Sequence, residues 1–265
     1  MMMTAQGEGR MSEEMAVDWE GDIALLRLQR APVNALDIDY CETVTRELIA
    51  LAADGRACAA VLTGRGDCFS AGADLKTVPH YDAGEQRTML RVLNRLFHAA
   101  YRLPVPLVAA VNGHAIAGGL VLALAADYRV AVDQNALLGV TEIRVGIPYP
   151  VTAIEILKAE LRPEEWRKAV LTGDLFGPGE ALARGMVDEL RPASEVLSRS
   201  LEMAAHLAGS PRETYAAVKR QFRAPALARM AAALEGAEPL AQPWIGPETR
   251  IRAAEQLEAM SRRGG

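Results

Sequence analysis

The feature that most constrains this chain is a change of rhythm near residue 150. Before it, apolar runs of strand length alternate with segments whose apolar residues recur at helical spacing. IALLRL at 23–28, CAAVLTG at 58–64 and PLVAAVNG at 106–113 read as strands, as do residues 127–132 and 136–140. Between them, Tyr40, Val44, Leu48 and Leu51 mark one face of a helix that stops near Gly55. Met89, Leu93, Leu96 and Ala100 mark a longer one, and AGGLVLALAA at 117–126 reads as a small-residue helix starting at a strand end. Beyond 150, helical patterns dominate at 152–160, 163–171, 179–184, 193–208, 211–223, 225–234 and 247–260. One short strand candidate, 186–190, interrupts them, and no fixed-period repeat is present. Strands alternating with helices favour parallel pairing, so the expected class is α/β, followed by a helical C-terminal part.

Composition narrows the function. The 265 residues are 50% hydrophobic and 24% charged, enough apolar material for a sizeable core. Net charge is −5 with the signs interspersed, which argues against a broad basic surface for nucleic acid or an anionic membrane. No apolar run approaches the ~18 residues needed to span a bilayer. Cys41, Cys58 and Cys68 form neither a CxxC pair nor a Cys/His spacing, so reduced thiols in a cytoplasmic protein are expected, without a disulfide framework or a metal site. Residues 1–14 lack a signal-peptide core and read as a polar, mobile tail.

Two glycine-bearing loops carry the chemistry. SAGADL at 70–75 follows the strand at 58–64, and NGHAIAGGL at 112–120 runs from the next strand into a helix start. Small residues let a ligand approach the backbone, and main-chain N–H groups collect at a helix N-terminus. One N–H from each loop beside a common point would suit a carbonyl oxygen gaining negative charge. Taken singly, each loop is more often a plain turn, and neither has the GxGxxG or GKS/GKT pattern of a nucleotide-phosphate site. Ser70 lies outside a GxSxG elbow, so a serine-hydrolase reading has little support.

Together, FSAGADL and AVNGHAIAGGLVLALAADYRVA resemble the crotonase (enoyl-CoA hydratase/isomerase) superfamily. PVNAL at 32–36 and TGDLFGPGEALARGMVDEL at 172–190 are similar to further signatures of that family. The resemblance runs from about residue 15 to the C-terminus. It implies a ββα spiral core over 15–190 and a helical trimerisation region over 191–265, assembled as a homotrimer or a dimer of trimers. It also implies an acyl-CoA substrate, with coenzyme A as part of that substrate and no separate cofactor.

Carried onto matching positions, the resemblance makes the backbone N–H groups of Ala73 and Gly118 the oxyanion-hole donors. Ala35, Ala71, Asp74, Leu75 and Lys76 fall where the family binds the CoA thioester. Hydratases of the family bracket one water with two glutamates. The first position is Val121 here, which cannot exchange a proton, and the second is Glu142. A single glutamate suits removal of a proton from C2 and its return at C4, the isomerisation of a 3-enoyl to a 2-enoyl thioester. Apolar Val140 and Ile143 beside Glu142 would desolvate it and raise its pKa. The alternatives are a hydratase, hydrolysis or decarboxylation with Glu142 in another role, or a catalytically silent CoA- or RNA-binding relative. His114 reads as a packing or supporting residue, and His80 and Tyr81 as part of a loop over the acyl pocket. Tyr149 either lines that pocket or forms a turn.

Overall fold

The computed structural model describes residues 10–11, 14–235 and 243–263. Among the described residues, ten strands occur: β1 (Arg10–Met11), β2 (Met15–Glu20), β3 (Ile23–Leu28), β4 (Ala59–Gly64), β5 (Cys68–Ser70), β6 (Leu107–Val111), β7 (His114–Ile116), β8 (Tyr128–Val132), β9 (Leu138–Gly139) and β10 (Glu189–Arg191). Seven of them form one sheet in the order β1-β2-β3-β4-β6-β8-β10. β2 and β3 are an antiparallel hairpin, and from β3 onward every pairing is parallel. Leu26, Leu62, Ala109, Ala110 and Val130 along this parallel part are fully buried. Continuous apolar runs are what a sheet covered on both faces requires.

The other three strands form a second parallel sheet, β5-β7-β9. The chain leaves β4 at Gly64 and enters β5 at Cys68, leaves β6 at Val111 and enters β7 at His114, and passes from β8 to β9 in the same way. Each pass ends in a helix: α2 (Ala83–Tyr101), α3 (Gly118–Leu124) and α4 (Glu142–Val145), while α1 (Ile38–Ala53) follows the hairpin. Strand, strand and helix repeated in this way are a ββα spiral, the expected core. Start signals act locally: Asp37 accepts the Tyr40 N–H at the head of α1, and Asp82 with Glu85 makes a capping box on α2.

Among the described residues, six further helices follow: α5 (Val151–Glu160), α6 (Pro163–Thr172), α7 (Pro178–Ala183), α8 (Val196–Ala208), α9 (Arg212–Leu234) and α10 (Pro247–Arg263). α8 lies across β4, β6 and β8. The two helices expected at 211–223 and 225–234 are one, with Pro225 inside it. The proline removes one N–H, but buried Ala226, Met230 and Ala233 hold the following turns against the core. Lys219 and Arg223 also pin α9, their side chains 2.7 and 3.0 Å from the two carboxylate oxygens of Asp127. The strand expected at 136–140 shrinks to Leu138–Gly139, held by reciprocal hydrogen bonds with Phe176. The strand expected at 186–190 sits instead at Glu189–Arg191. Strands β1, β2, β5 and β7 are not among the expected ones; β1 falls within the stretch read as a tail, β5 leads into the first glycine-bearing loop and β7 lies inside the second. Among the described residues, no helix is long and apolar enough to cross a membrane.

Candidate active site

The second sheet delivers both glycine loops to one place. After β5, residues 70–74 run beside 33–36: Ala71 N–H donates to the Val33 carbonyl, Leu36 N–H to the Gly72 carbonyl, and Asp74 N–H to the Leu36 carbonyl. Leu36 and Ala73 thus form a parallel bridge. Because Gly72 and Asp74 supply the bonding groups on that side, strand alternation turns the Ala73 N–H to the opposite side. Gly72 has φ +76°, and a Cβ there would lie 2.8 Å from the Gly118 nitrogen. A Cβ on Gly119 would lie 2.1 Å from the Ser70 carbonyl oxygen. Only glycines permit the two loops to approach this closely.

Ala117 precedes the helix with φ +54° and ψ −129°, a region that costs a non-glycine residue about 1–3 kcal/mol. Its N–H donates to the Gly139 carbonyl, and its own carbonyl accepts from Leu120 and Val121. These bonds hold the Ala117–Gly118 peptide in its turned orientation. Among the described residues, neither the Ala73 nor the Gly118 N–H has a hydrogen-bond acceptor.

A cavity of about 470 Å³ opens at this point. Ala35, Ala71, Ala73, Asp74, Leu75, Lys76, Gly118 and Glu142 all border it, so the loops of widely separated segments converge. Asp74 is already engaged, one carboxylate oxygen accepting the Lys76 N–H and the other the Thr77 hydroxyl. Glu142 opens the one-turn helix α4, which is closed by left-handed Gly146. It is buried, and its Oε2 has no hydrogen-bond partner. Burial pushes its pKa from the ordinary 4.5 to about 7. Val140 is fully buried, but Ile143 is 45% exposed. The desolvation therefore comes from the cavity walls rather than from both sequence neighbours.

The remaining candidates separate cleanly. Val121 is fully buried one turn after Gly118 and does not border the cavity. His114 does, but its Nδ1 accepts the Leu137 N–H at 3.0 Å, which is a structural bond. Ser70 donates to the Asn34 carbonyl and accepts from the Gly72 N–H, so its hydroxyl shapes the loop. His80 is exposed on a 3₁₀ turn, and neither it nor Tyr81 borders the cavity, because that turn packs under α10 instead. Tyr149 lies outside the cavity wall, and its hydroxyl donates to the Val140 carbonyl at 3.4 Å. Among the described residues, no group of three or more His, Cys, Asp or Glu could hold a metal ion.

Sequence reasoning missed the far wall. Trp244, Gln256 and Leu257, in and just before α10, close the cavity of their own chain. The Trp244 Nε1–H donates to the Pro148 carbonyl, the Thr249 hydroxyl to the Gly146 carbonyl, and the Arg250 Nε–H to the Pro79 carbonyl. The side-chain amide of Gln86 both accepts from the Ile245 N–H and donates to its carbonyl. The stripe read as Ile251, Ala254 and Leu257 divides accordingly: Leu257 borders the cavity, while Ile251 and Ala254 remain exposed.

Residues 18–245 match the family model described as enoyl-CoA hydratase/isomerase. A curated relative in Mycobacterium avium, named "Probable enoyl-CoA hydratase", is 34% identical over 80% of this chain and 84% of its own length. A solved enoyl-CoA hydratase from Mycobacterium ulcerans is 31% identical with a TM-score of 0.79, covering 84% of this chain and 97% of its own. Human mitochondrial Δ3-Δ2-enoyl-CoA isomerase is 25% identical with a TM-score of 0.87, covering 95% of this chain and 100% of its own. Fold, family match and relatives agree. The chain belongs to the enoyl-CoA hydratase/isomerase family, in the crotonase superfamily, and is an enzyme of that class.

Proposed function

We propose that this enzyme isomerises 3-enoyl-CoA to 2-enoyl-CoA, with Glu142 as the only acid/base. The observation that carries this reading is a lone buried carboxylate with a free oxygen, in a cavity whose other carboxylate, Asp74, is engaged in a turn. The thioester carbonyl would accept from the Ala73 and Gly118 N–H groups. Each such donor stabilises a developing oxyanion by about 3–4 kcal/mol in measured enzymes. Glu142 Oε2 would remove the C2 proton, and the resulting enolate would take it back at C4. A base that titrates near 7 is well matched to that work. Hydration needs a second group to hold and activate water, and Val121 offers none. We also propose that the CoA thioester lies along Ala35, Ala71, Leu75 and Lys76, and that the protein is a homotrimer or a dimer of trimers.

Hydration is the second reading, favoured by the names of the mycobacterial relatives. Incubating the protein separately with a 3-enoyl-CoA and a 2-enoyl-CoA decides between them. The expected result is isomerisation, rising with pH through about 7, with slow hydration. Glu142→Gln should lower isomerisation by at least about 1000-fold, with CoA affinity little changed. Rapid hydration with negligible isomerisation would overturn the proposal.

A further inference from the structure

A second cavity, of about 660 Å³, lies apart from the active site and within the roughly 300–1,000 Å³ range of pockets that take small organic ligands. Three helices wall it, each through side chains that recur at helical spacing. α1 supplies Thr45, Leu48, Ile49 and Ala52, and α2 supplies Arg95, His98, Ala99 and Arg102. α2 separates the two cavities, because its Leu93 and Phe97 border the active site. α9 adds Arg220, Leu227 and Leu234, together with buried Lys219 and Arg223. These last two are already engaged. Lys219 donates to the Val105 carbonyl and pairs with Asp127, and Arg223 donates to the Tyr101 and Ala125 carbonyls. Arg95, Arg102 and Arg220 are exposed, and among the described residues their guanidinium groups have no hydrogen bond or ion pair. No described carboxylate borders the cavity.

Unpaired cations beside apolar walls suit an occupant with an anionic head and an aliphatic body. We propose that this cavity binds an aliphatic carboxylate, with its chain along Leu48, Ile49, Leu227 and Leu234 and its head among the guanidinium groups of Arg95, Arg102 and Arg220. A guanidinium fork matches a carboxylate in both shape and charge. His98 stands between the two arginines on α2, and its ring has no hydrogen-bond partner among the described residues. Burial, with Arg102 adding to it, pushes the His98 pKa down to about 4. Near neutral pH the ring is therefore uncharged and has one N–H to donate to the head. The cavity is also distinct from the exposed Val218 and Phe222. With 3.6 residues per turn, those two lie roughly 120–170° around α9 from the face of Ala216, Arg220, Arg223 and Leu227. The face offered to a partner subunit and the face lining the cavity are different.

Octanoate is the probe, compared with octanol and inorganic phosphate on the full-length protein near neutral pH. Of the four histidines, His98 borders this cavity and His114 borders the active site. NMR of the imidazole nitrogens reports the two places separately, with His98→Gln to assign the signal. Octanoate should move the His98 resonance saturably, half-maximally at about 1 mM or below. Octanol and phosphate should each bind there at least about tenfold more weakly. Arg95→Gln combined with Arg102→Gln should weaken octanoate at His98 at least about tenfold, with any shift at His114 unchanged. Octanol binding as tightly as octanoate would reduce the cavity to an apolar groove, and phosphate binding as tightly would make it a bare anion site. Either result overturns the proposal, as does octanoate that moves only His114 or a double variant that binds like wild type. The wild-type comparison of the three probes decides the matter even if the double variant fails to fold.

Discussion

Glu142 is placed where its charge is least comfortable. Its pKa is raised from 4.5 to about 7, so the folded protein binds this proton more tightly than the unfolded chain does. The resulting contribution to stability is fully present below about pH 4.5 and is lost as pH rises through about 7. Glu142→Gln removes that pH-dependent loss. The variant should exceed wild type in stability by up to roughly 3 kcal/mol at pH 8, and by little at pH 4.5. Urea unfolding at the two pH values checks this, and equal differences at both would contradict it. The family register singles out Glu142 as the candidate base. The cause of its burial was not legible, because Ile143 points outward and the enclosing groups come from distant segments. Ala73 and Gly118 were readable as glycine-loop positions. The strain at Ala117 was not, since nothing in the string AIAGG distinguishes an alanine at positive φ from any other.

Elements follow the same logic at greater length. Helices α1 and α2 were legible because sixteen and nineteen residues sample the apolar period several times over. β5 and β7, three residues each, are too short for any period to show, although they bring the loops together. Pro225 misled for a physical reason, since packing against the core outweighs one lost hydrogen bond. α10 was legible as a helix, but not as a wall of the cavity. Its attachment depends on a few bonds, of which the Gln86–Ile245 amide pair is buried and reciprocal. Gln86→Leu breaks both bonds, each contributing about 0.5–1.5 kcal/mol. Amide exchange over residues 244–258 should accelerate about tenfold or more, while the large sheet keeps its protection. Unchanged exchange in α10 would show that the amide pair is not what holds it.

For the molecule as a whole, two sheets in one spiral set the chemistry at the ends of the strands, and the C-terminal helices divide the remaining work. α9 is fastened by the buried charges of Asp127, Lys219 and Arg223, and it leaves Val218 and Phe222, four residues apart, 57% and 69% exposed. A face of this kind invites a partner. Light scattering should therefore report three or six chains per particle, and a monomer at micromolar concentration would contradict the proposed assembly. α10, by contrast, turns back onto the cavity of its own chain, where Ala73, Gly118 and Glu142 also come together. The consequence appears when active and inactive copies share a particle. Co-expressed wild-type and Glu142→Gln subunits should lose activity in direct proportion to the fraction of altered chains, neither as its square nor as its cube. A defective copy would dilute its neighbours without poisoning them.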